Sequence, residues 1–328
     1  MATMELNQID YRYETCRLRN SVSERNLFHS IFENGIRQPV LGVFDDSKEK
    51  FILLDGFKRI RCCRKLHIGM VEYKEVGSTS VEGILSLLWA SNNQGLHILE
   101  QSRLVEELNL QGMKVLEIAR SLERSPAWVS VRLGILTEMG DLLKEEIFSG
   151  RFPARNYLYT LRNFTRVNSK KDVNEFVGAV SGKSLSTRDI DILAKGFFTG
   201  GEDFRDQILK GHFDWCLRHI KESESHESEL NEAEKSVLRS LEILGKYMGR
   251  MIYRGQEDKL SSNSFFVQAE LFCGGILKKV SEFEKAIRRL NDRARDKKSG
   301  MGTLPEGKKE KGDCKAFESQ PQDHTTHH

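Results

Sequence analysis

Apolar residues recur with a helical period through GMKVLEIARSLERSPAWVSVRLGIL, residues 112–136, and the pattern changes phase once, at a polar break. Val115, Ile118, Ala119 and Leu122 share one face of a first helix. Ser125 is placed to cap a second helix, with Pro126 at its first position, where the missing N–H costs nothing. Trp128, Val129 and Leu133 anchor that second helix, and Ser130 and Arg132 are its polar positions. Small Ala119 lets the two helices cross closely, so the pattern predicts a helix-turn-helix whose second helix can enter a DNA major groove. Glu123 stands in the turn where such motifs often carry glycine. The competing reading is an ordinary helical hairpin inside a core.

Upstream, Val22, Leu27, Phe28, Ile31 and Phe32 predict a helix over 21–34 that stops at Gly35. Residues 35–39 turn into strand-like runs over 40–44 and 51–54, separated by the polar turn Asp45-Asp46-Ser47. A basic helix over 57–66, a strand over 70–76, and helices over 79–92 and 99–110 follow. Phe152-Pro153-Ala154 opens another helix carrying Arg155, Arg162 and Arg166. After Gly200-Gly201, read as a hinge, only helices are predicted. Val237, Leu241, Leu244, Met248 and Met251 form one stripe, and Phe272, Ile276, Val280, Phe283, Ile287 and Leu290 form another. Such stripes mean helix packing and suit pairing between subunits. The fold class is α+β: a small α/β amino-terminal domain (1–95), an all-α helix-turn-helix middle domain (96–200), a helical carboxyl-terminal domain (201–295) suited to dimerisation, and a disordered tail (296–328).

Charge sharpens the middle of this picture. The 328 residues carry a net charge of only +3, yet residues 120–171 hold ten Lys and Arg against five Asp and Glu. That excess lies on and just after the helix-turn-helix, where phosphate contacts help. Ser125, Trp128, Ser130 and Arg132 are the candidates for base contact, and Arg155 and Arg162 for the DNA backbone, which positions the protein without specifying sequence. No apolar run approaches the ~20 residues needed to span a bilayer, and the start lacks the apolar core of a signal peptide, so a cytoplasmic protein without a membrane partner is expected. The six cysteines have no zinc-site spacing and read as free thiols. His97 and Glu100, one helical turn apart, read as a solvated pair.

One more stretch carries chemistry. In Asp55-Gly56-Phe57-Lys58-Arg59-Ile60-Arg61, a glycine turn at the end of a strand feeds a helix whose first turn holds two cations, an arrangement suited to a phosphate. Gly35-Ile36-Arg37-Gln38-Pro39-Val40, then Gly56-Phe57-Lys58-Arg59, then a helix ending in Asn92-Asn93-Gln94, then the helix-turn-helix, resembles the ParB family of DNA-partition proteins. Glu145-Glu146-Ile147 with Gly150-Arg151-Phe152, and the run 183–190, KSLSTRDI, continue the likeness, which covers residues 5–200.

The resemblance implies a ParB-like amino-terminal domain that binds CTP with Mg, joined to a sequence-specific domain for double-stranded DNA, in a homodimer that closes as a clamp on plasmid or chromosome DNA. It further implies a partner partition ATPase and association with nucleoid or plasmid. Gly35 and Gln38 would face the base and sugar. Gly56, Lys58 and Arg59, with Phe57 in the same motif, would face the phosphates; Arg19 matches an early family arginine, and Asn92 would help hold the metal. Where the family has Glu-Asn-x-x-Arg this chain reads Ser91-Asn92-Asn93-Gln94-Gly95, so the nucleotide pocket is divergent, and any CTP hydrolysis to CDP would be weak. A hydroxyl is not a carboxylate base at neutral pH. Two further readings on the same scaffold are a ParB-like nuclease and a transcriptional regulator without nucleotide binding.

Overall fold

The computed structural model of this chain describes residues 2–91, 95–165, 170–225, 230–255 and 260–299. They belong to two compact units, residues 1–257 and 258–328.

The first unit opens with a mixed five-stranded sheet. In chain order it comprises β1 (Ala2–Glu5), β2 (Ile9–Asp10), α1 (Ser21–Asn34), β3 (Val40–Asp45), β4 (Lys50–Asp55), α2 (Phe57–Lys65), β5 (Met70–Glu75) and α3 (Ser80–Ala90). The strand order is β1-β5-β3-β4-β2. The β3–β4 hairpin is antiparallel with Val43 opposite Ile52, β5 lies parallel to β3, and the short β1 and β2 close the two edges. The sequence pattern misses both edge strands, which are too short to show a period of two. α1 begins at Asn20, whose side chain accepts the Ser23 N–H, and ends at Gly35 with φ +69°, as the glycine signal predicts. Val40, Phe51, Leu53, Ile60, Cys63 and Ile84 are fully buried between sheet and helices.

Helices follow: α4 (Ile98–Leu110), α5 (Val115–Ser121), α6 (Pro126–Thr137), α7 (Asp141–Phe148), α8 (Ala154–Asn156), a π-helical turn (Tyr157–Leu161) and α9 (Arg162–Thr165). Next come α10 (Lys170–Val180), α11 (Thr187–Thr199), α12 (Glu202–Leu209), α13 (Phe213–Ser225) and α14 (Glu232–Arg254). α5 and α6 are two helices joined by a short turn where the sequence predicts them, with Glu123 at φ +53° in the turn, the left-handed backbone that glycine would have taken. Ser125 caps α6 by accepting the Trp128 N–H at 3.2 Å, and Ser186 caps α11 with Asp189 answering in a reciprocal pair.

Packing does not respect the expected limits at 95 and 200. Leu104, Val105 and Leu108 of α4, with Ile118, Ala119, Leu122 and Val129 of the helix-turn-helix, share one apolar cluster with the sheet. The other face of α4 puts Leu99 into a second cluster, with Ile135, Leu143, Tyr157 and Phe176, that runs on to Ile208, Cys216 and Leu217. Gly200-Gly201 is therefore a turn inside a core and not a hinge between domains: α12 and α13 complete what α10 and α11 begin. The second unit contributes α15 (Asn263–Ser299), so residues 296–299 of the expected disordered tail are helical. The rest of that tail, including Cys314 and the final histidines, lies outside the described residues. The other five cysteines are free thiols, four of them buried, and burial holds the Cys16 thiol up at about 12. No helix among the described residues is long and apolar enough to cross a membrane.

Candidate nucleic-acid interface

The outward face of α6 follows from which of its residues the two clusters take. Val129, Ile135 and Leu136 are buried, and Trp128 and Leu133 pack half-buried against the first cluster. Ala127, Ser130, Val131 and Thr137 are left exposed, at the helical spacing of one face, and a Cβ added at Gly134 on that face would meet open space. Ser130 is thus on the exposed face of α6. Val131, half exposed at 50%, was missed by the sequence reading, although a valine lying off the Trp128-Val129-Leu133 stripe is the signal that could have found it.

Arg132 departs from expectation. Its Nε and Nη2 donate to the Gln101 amide oxygen at 2.9 and 2.7 Å, and its Nη1 donates to the Trp128 carbonyl at 3.2 Å. The guanidinium lies 3.3 Å from the centre of the Trp128 ring. Its hydrogen-bond acceptors are all neutral, and burial, reinforced by nearby Arg124, brings its pKa down to about 10. Arg132 therefore ties α6 to α4, and a guanidinium held this way is not extended toward a base. Trp128 is its platform, with Arg124 also over the ring at 6.0 Å, and Ser125 is exposed at the helix start.

The backbone candidates divide as well. Arg155 is exposed, whereas Arg162 forms a two-pronged ion pair with Glu138 at the end of α6, at 2.6 and 3.2 Å, which holds its guanidinium firmly protonated. Arg151 is likewise paired with Glu145 and Glu146, the latter keeping its carboxyl below the usual range through that bond. Arg151 and Arg162, two of the ten cations counted along 120–171, are thus engaged within the fold. Arg166 lies outside the described residues.

In the amino-terminal half, the structure brings two sequence motifs together. Arg59 Nη1 donates to the carbonyls of Gln38 and Pro39, at 2.9 and 2.6 Å, and its Nη2 pairs with Asp55 at 2.8 Å. This pins the turn Gly35–Pro39 against the start of α2. Gly56 supplies the corner: its φ is +106°, and a Cβ there would sit 2.7 Å from Val40 Cγ1. With no side chain to cap α2, the first-turn amides of that helix have no intrahelical acceptor. Lys58 Nζ reaches only the Ser23 hydroxyl, at 3.3 Å, and Phe57 is buried in the core.

Arg17, not Arg19, joins this cluster, pairing with Asp55 and lying 3.9 Å from Glu100. Arg19 lines, together with Arg17, a cleft of about 470 Å³ bounded by Tyr11, Arg103, Lys144 and Phe148. Its amide donates to the Phe148 carbonyl, and Gly150 at φ +80° lets the two segments touch, since a Cβ there would lie 2.5 Å from the Arg19 carbonyl. His97 and Glu100 are not a solvated pair. The Glu100 carboxylate accepts the amides of His97 and Leu18, and His97 Nδ1 accepts that of Leu99, capping α4. Asn92, the expected metal-side amide, lies outside the described residues. Among those residues no three His, Cys, Asp or Glu side chains gather as metal ligands would.

Residues 110–195 match the KorB domain family. No curated protein matches the chain. Solved structures similar to it include C-terminally truncated ParB from Caulobacter crescentus, a chromosome-partitioning protein, complexed to the centromeric parS site. The identity is 15%, over 60% of this chain and 99% of that one, with a TM-score of 0.29. The same protein complexed with CTP-gamma-S has 15% identity over 58% of this chain and 97% of that one, with a TM-score of 0.24. A Pnob8-like ParB-N domain has 15% identity over 67% of this chain and 96% of that one, with a TM-score of 0.32. Across residues 110–195, the segment that carries α5 and α6, the chain is similar to the KorB domain family.

Proposed function

We propose that this chain binds double-stranded DNA sequence-specifically in plasmid or chromosome partition, as a homodimer whose hold on DNA is switched by CTP. The observation that carries the DNA reading is the exposed face of α6 within the KorB segment: Ala127, Ser130, Val131 and Gly134 stand proud of a helix held rigidly from behind by Trp128 and by Arg132 on Gln101. A small apolar and hydroxyl face suits thymine methyls and mixed hydrogen-bonding edges in the major groove. Two copies would then read a two-fold related pair of half-sites. Arg155 and Ser125 assist at the backbone, and Arg162 acts through its pairing with Glu138.

The nucleotide reading rests on the start of α2. Its uncapped first-turn amides and Lys58 fit an anionic phosphate, with Gly35 and Gln38 held alongside by Arg59. Asn92 would help hold magnesium, which would offset phosphate charge. The cations Arg17 and Arg59 are already opposed by Asp55, and Ser91 donates its hydroxyl to the Leu88 carbonyl at 2.6 Å, so this pocket favours holding a nucleotide over hydrolysing it. The same compensation of Arg59 favours, as the second reading, a DNA-binding regulator that takes no nucleotide. Association with nucleoid or plasmid, and with a partition ATPase, belongs to the first reading.

Selection of bound fragments from random DNA, with and without CTP, tests both. A discrete recovered site supports the DNA reading, and CTP-dependent recovery lost in Lys58→Ala supports the switch. A discrete site with no response to CTP leaves the regulator, and recovery without sequence preference overturns both.

A further inference from the structure

The cleft beside Arg19 is walled by three parts of the chain: the segment 11–19 ahead of α1, α4 through Arg103, and α7 through Lys144 and Phe148. Its place follows from the backbone. The Arg19 amide donates to the Phe148 carbonyl at 3.0 Å, and left-handed Gly150 lets the amino-terminal segment and the end of α7 touch there. None of Gly35, Gln38, Gly56, Lys58 or Arg59 lines it. We propose that this cleft is an anion site separate from the start of α2, where Lys144, Arg103 and Arg19 hold a phosphoryl dianion, either free phosphate or the phosphate of a small monoester.

These three cations are incompletely matched by the fold. The Lys144 side chain is only 20% exposed, yet its ammonium stands 3.8 Å from Asp141, a carboxylate wholly in water and too far for a hydrogen bond. Arg103 Nη1 donates to Glu106 at 2.9 Å and its guanidinium lies 5.1 Å from the centre of the Phe148 ring, but its Nε is buried and donates to nothing among the described residues. Arg19, the outermost of the three, is 3.4 Å from a Glu14 oxygen that already accepts a shorter bond, 2.7 Å, from Arg61. The third acid on the rim, Glu145, is paired with Arg151 at 3.0 Å, and Arg17 with Asp55. A partly buried cation without a close counter-charge is costly, and an anion entering the cleft removes that cost. Cations from three segments suit a phosphoryl group, which carries close to two charges at neutral pH and three strong acceptor oxygens. At about 470 Å³ the cleft also has room for a small organic part beside Tyr11 and Phe148.

This site does not depend on the DNA or nucleotide readings, and its test separates from theirs. Ribose 5-phosphate, inorganic phosphate and unphosphorylated ribose are each titrated into the full chain by isothermal calorimetry at fixed ionic strength. Saturable binding of ribose 5-phosphate or of phosphate is expected, with none of ribose, and the tighter of the two tells a monoester from the free ion. Lys144→Gln, which removes a charge-assisted hydrogen bond, should weaken that binding about tenfold. Arg19→Gln, at the open edge where the fold is not at stake, should weaken it about threefold. Lys58→Ala should leave it unchanged. No saturable binding, unchanged affinity in both Lys144→Gln and Arg19→Gln, a loss in Lys58→Ala that matches theirs, or displacement of the bound phosphate by a random DNA duplex overturns the proposal.

Discussion

Val131→Ala separates a reading helix from a structural hairpin. Val131 is 50% exposed on the outward face of α6 and takes no part in either apolar cluster, so trimming it leaves the fold intact. Fully burying a valine side chain is worth about 1.5–3 kcal/mol, and only the half still in water is available to be buried against DNA, which gives about 1 kcal/mol for a contact with a thymine methyl. That is about a fivefold loss of affinity for the selected site, since 1.4 kcal/mol is tenfold. Random duplex, held through phosphates, should lose almost nothing. The assay is fluorescence anisotropy on the selected and a scrambled duplex at fixed salt, with a thermal melt as control. Ser130→Ala, next to it on the same face, should behave alike. A parallel fall on both duplexes, or no fall on either, would mean that this face does not lie against bases, and the assignment of α6 would be lost.

Arg132→Ala should act differently. Three hydrogen bonds and a ring contact at about 1 kcal/mol each, set against about 3 kcal/mol lost in holding a half-buried charge, leave a net loss of about 1 kcal/mol. Melting should drop slightly, with specific and random binding falling together; a selective loss on the specific duplex would restore Arg132 as a base reader. Gly56→Ala should cost about 3 kcal/mol, from the left-handed backbone plus the 2.7 Å approach to Val40, read as a fall in denaturant midpoint. His97 carries a pH dependence. Burial lowers its pKa below that of the unfolded chain, with Glu100 opposing, so the capping contribution is present above about pH 6.5 and is lost as pH falls through and below that value. The drop in melting temperature between pH 7.5 and 5.5 should therefore be smaller in His97→Asn, which caps without titrating, and an equal drop would remove His97 as its source.

Local signals in the chain were enough to determine the α5–α6 helix pair, its Ser125 cap, α1 with its Gly35 stop, the β3–β4 hairpin and the α+β class, because capping, turn chemistry and periodicity act between neighbours. The exposure of Ser130 also follows from α6 periodicity alone. What a charged side chain does was decided by the tertiary structure, because its partner lies far along the chain. Arg132 finds Gln101, Arg162 finds Glu138, and Arg59 finds Gln38 and Asp55, and each of those contacts changes a group that looked available into one already engaged. The same holds for domain limits: glycines at 200 and 201 look like a hinge, but Ile208 and Cys216 close a core begun at Leu99, and apolar burial is blind to distance along the sequence.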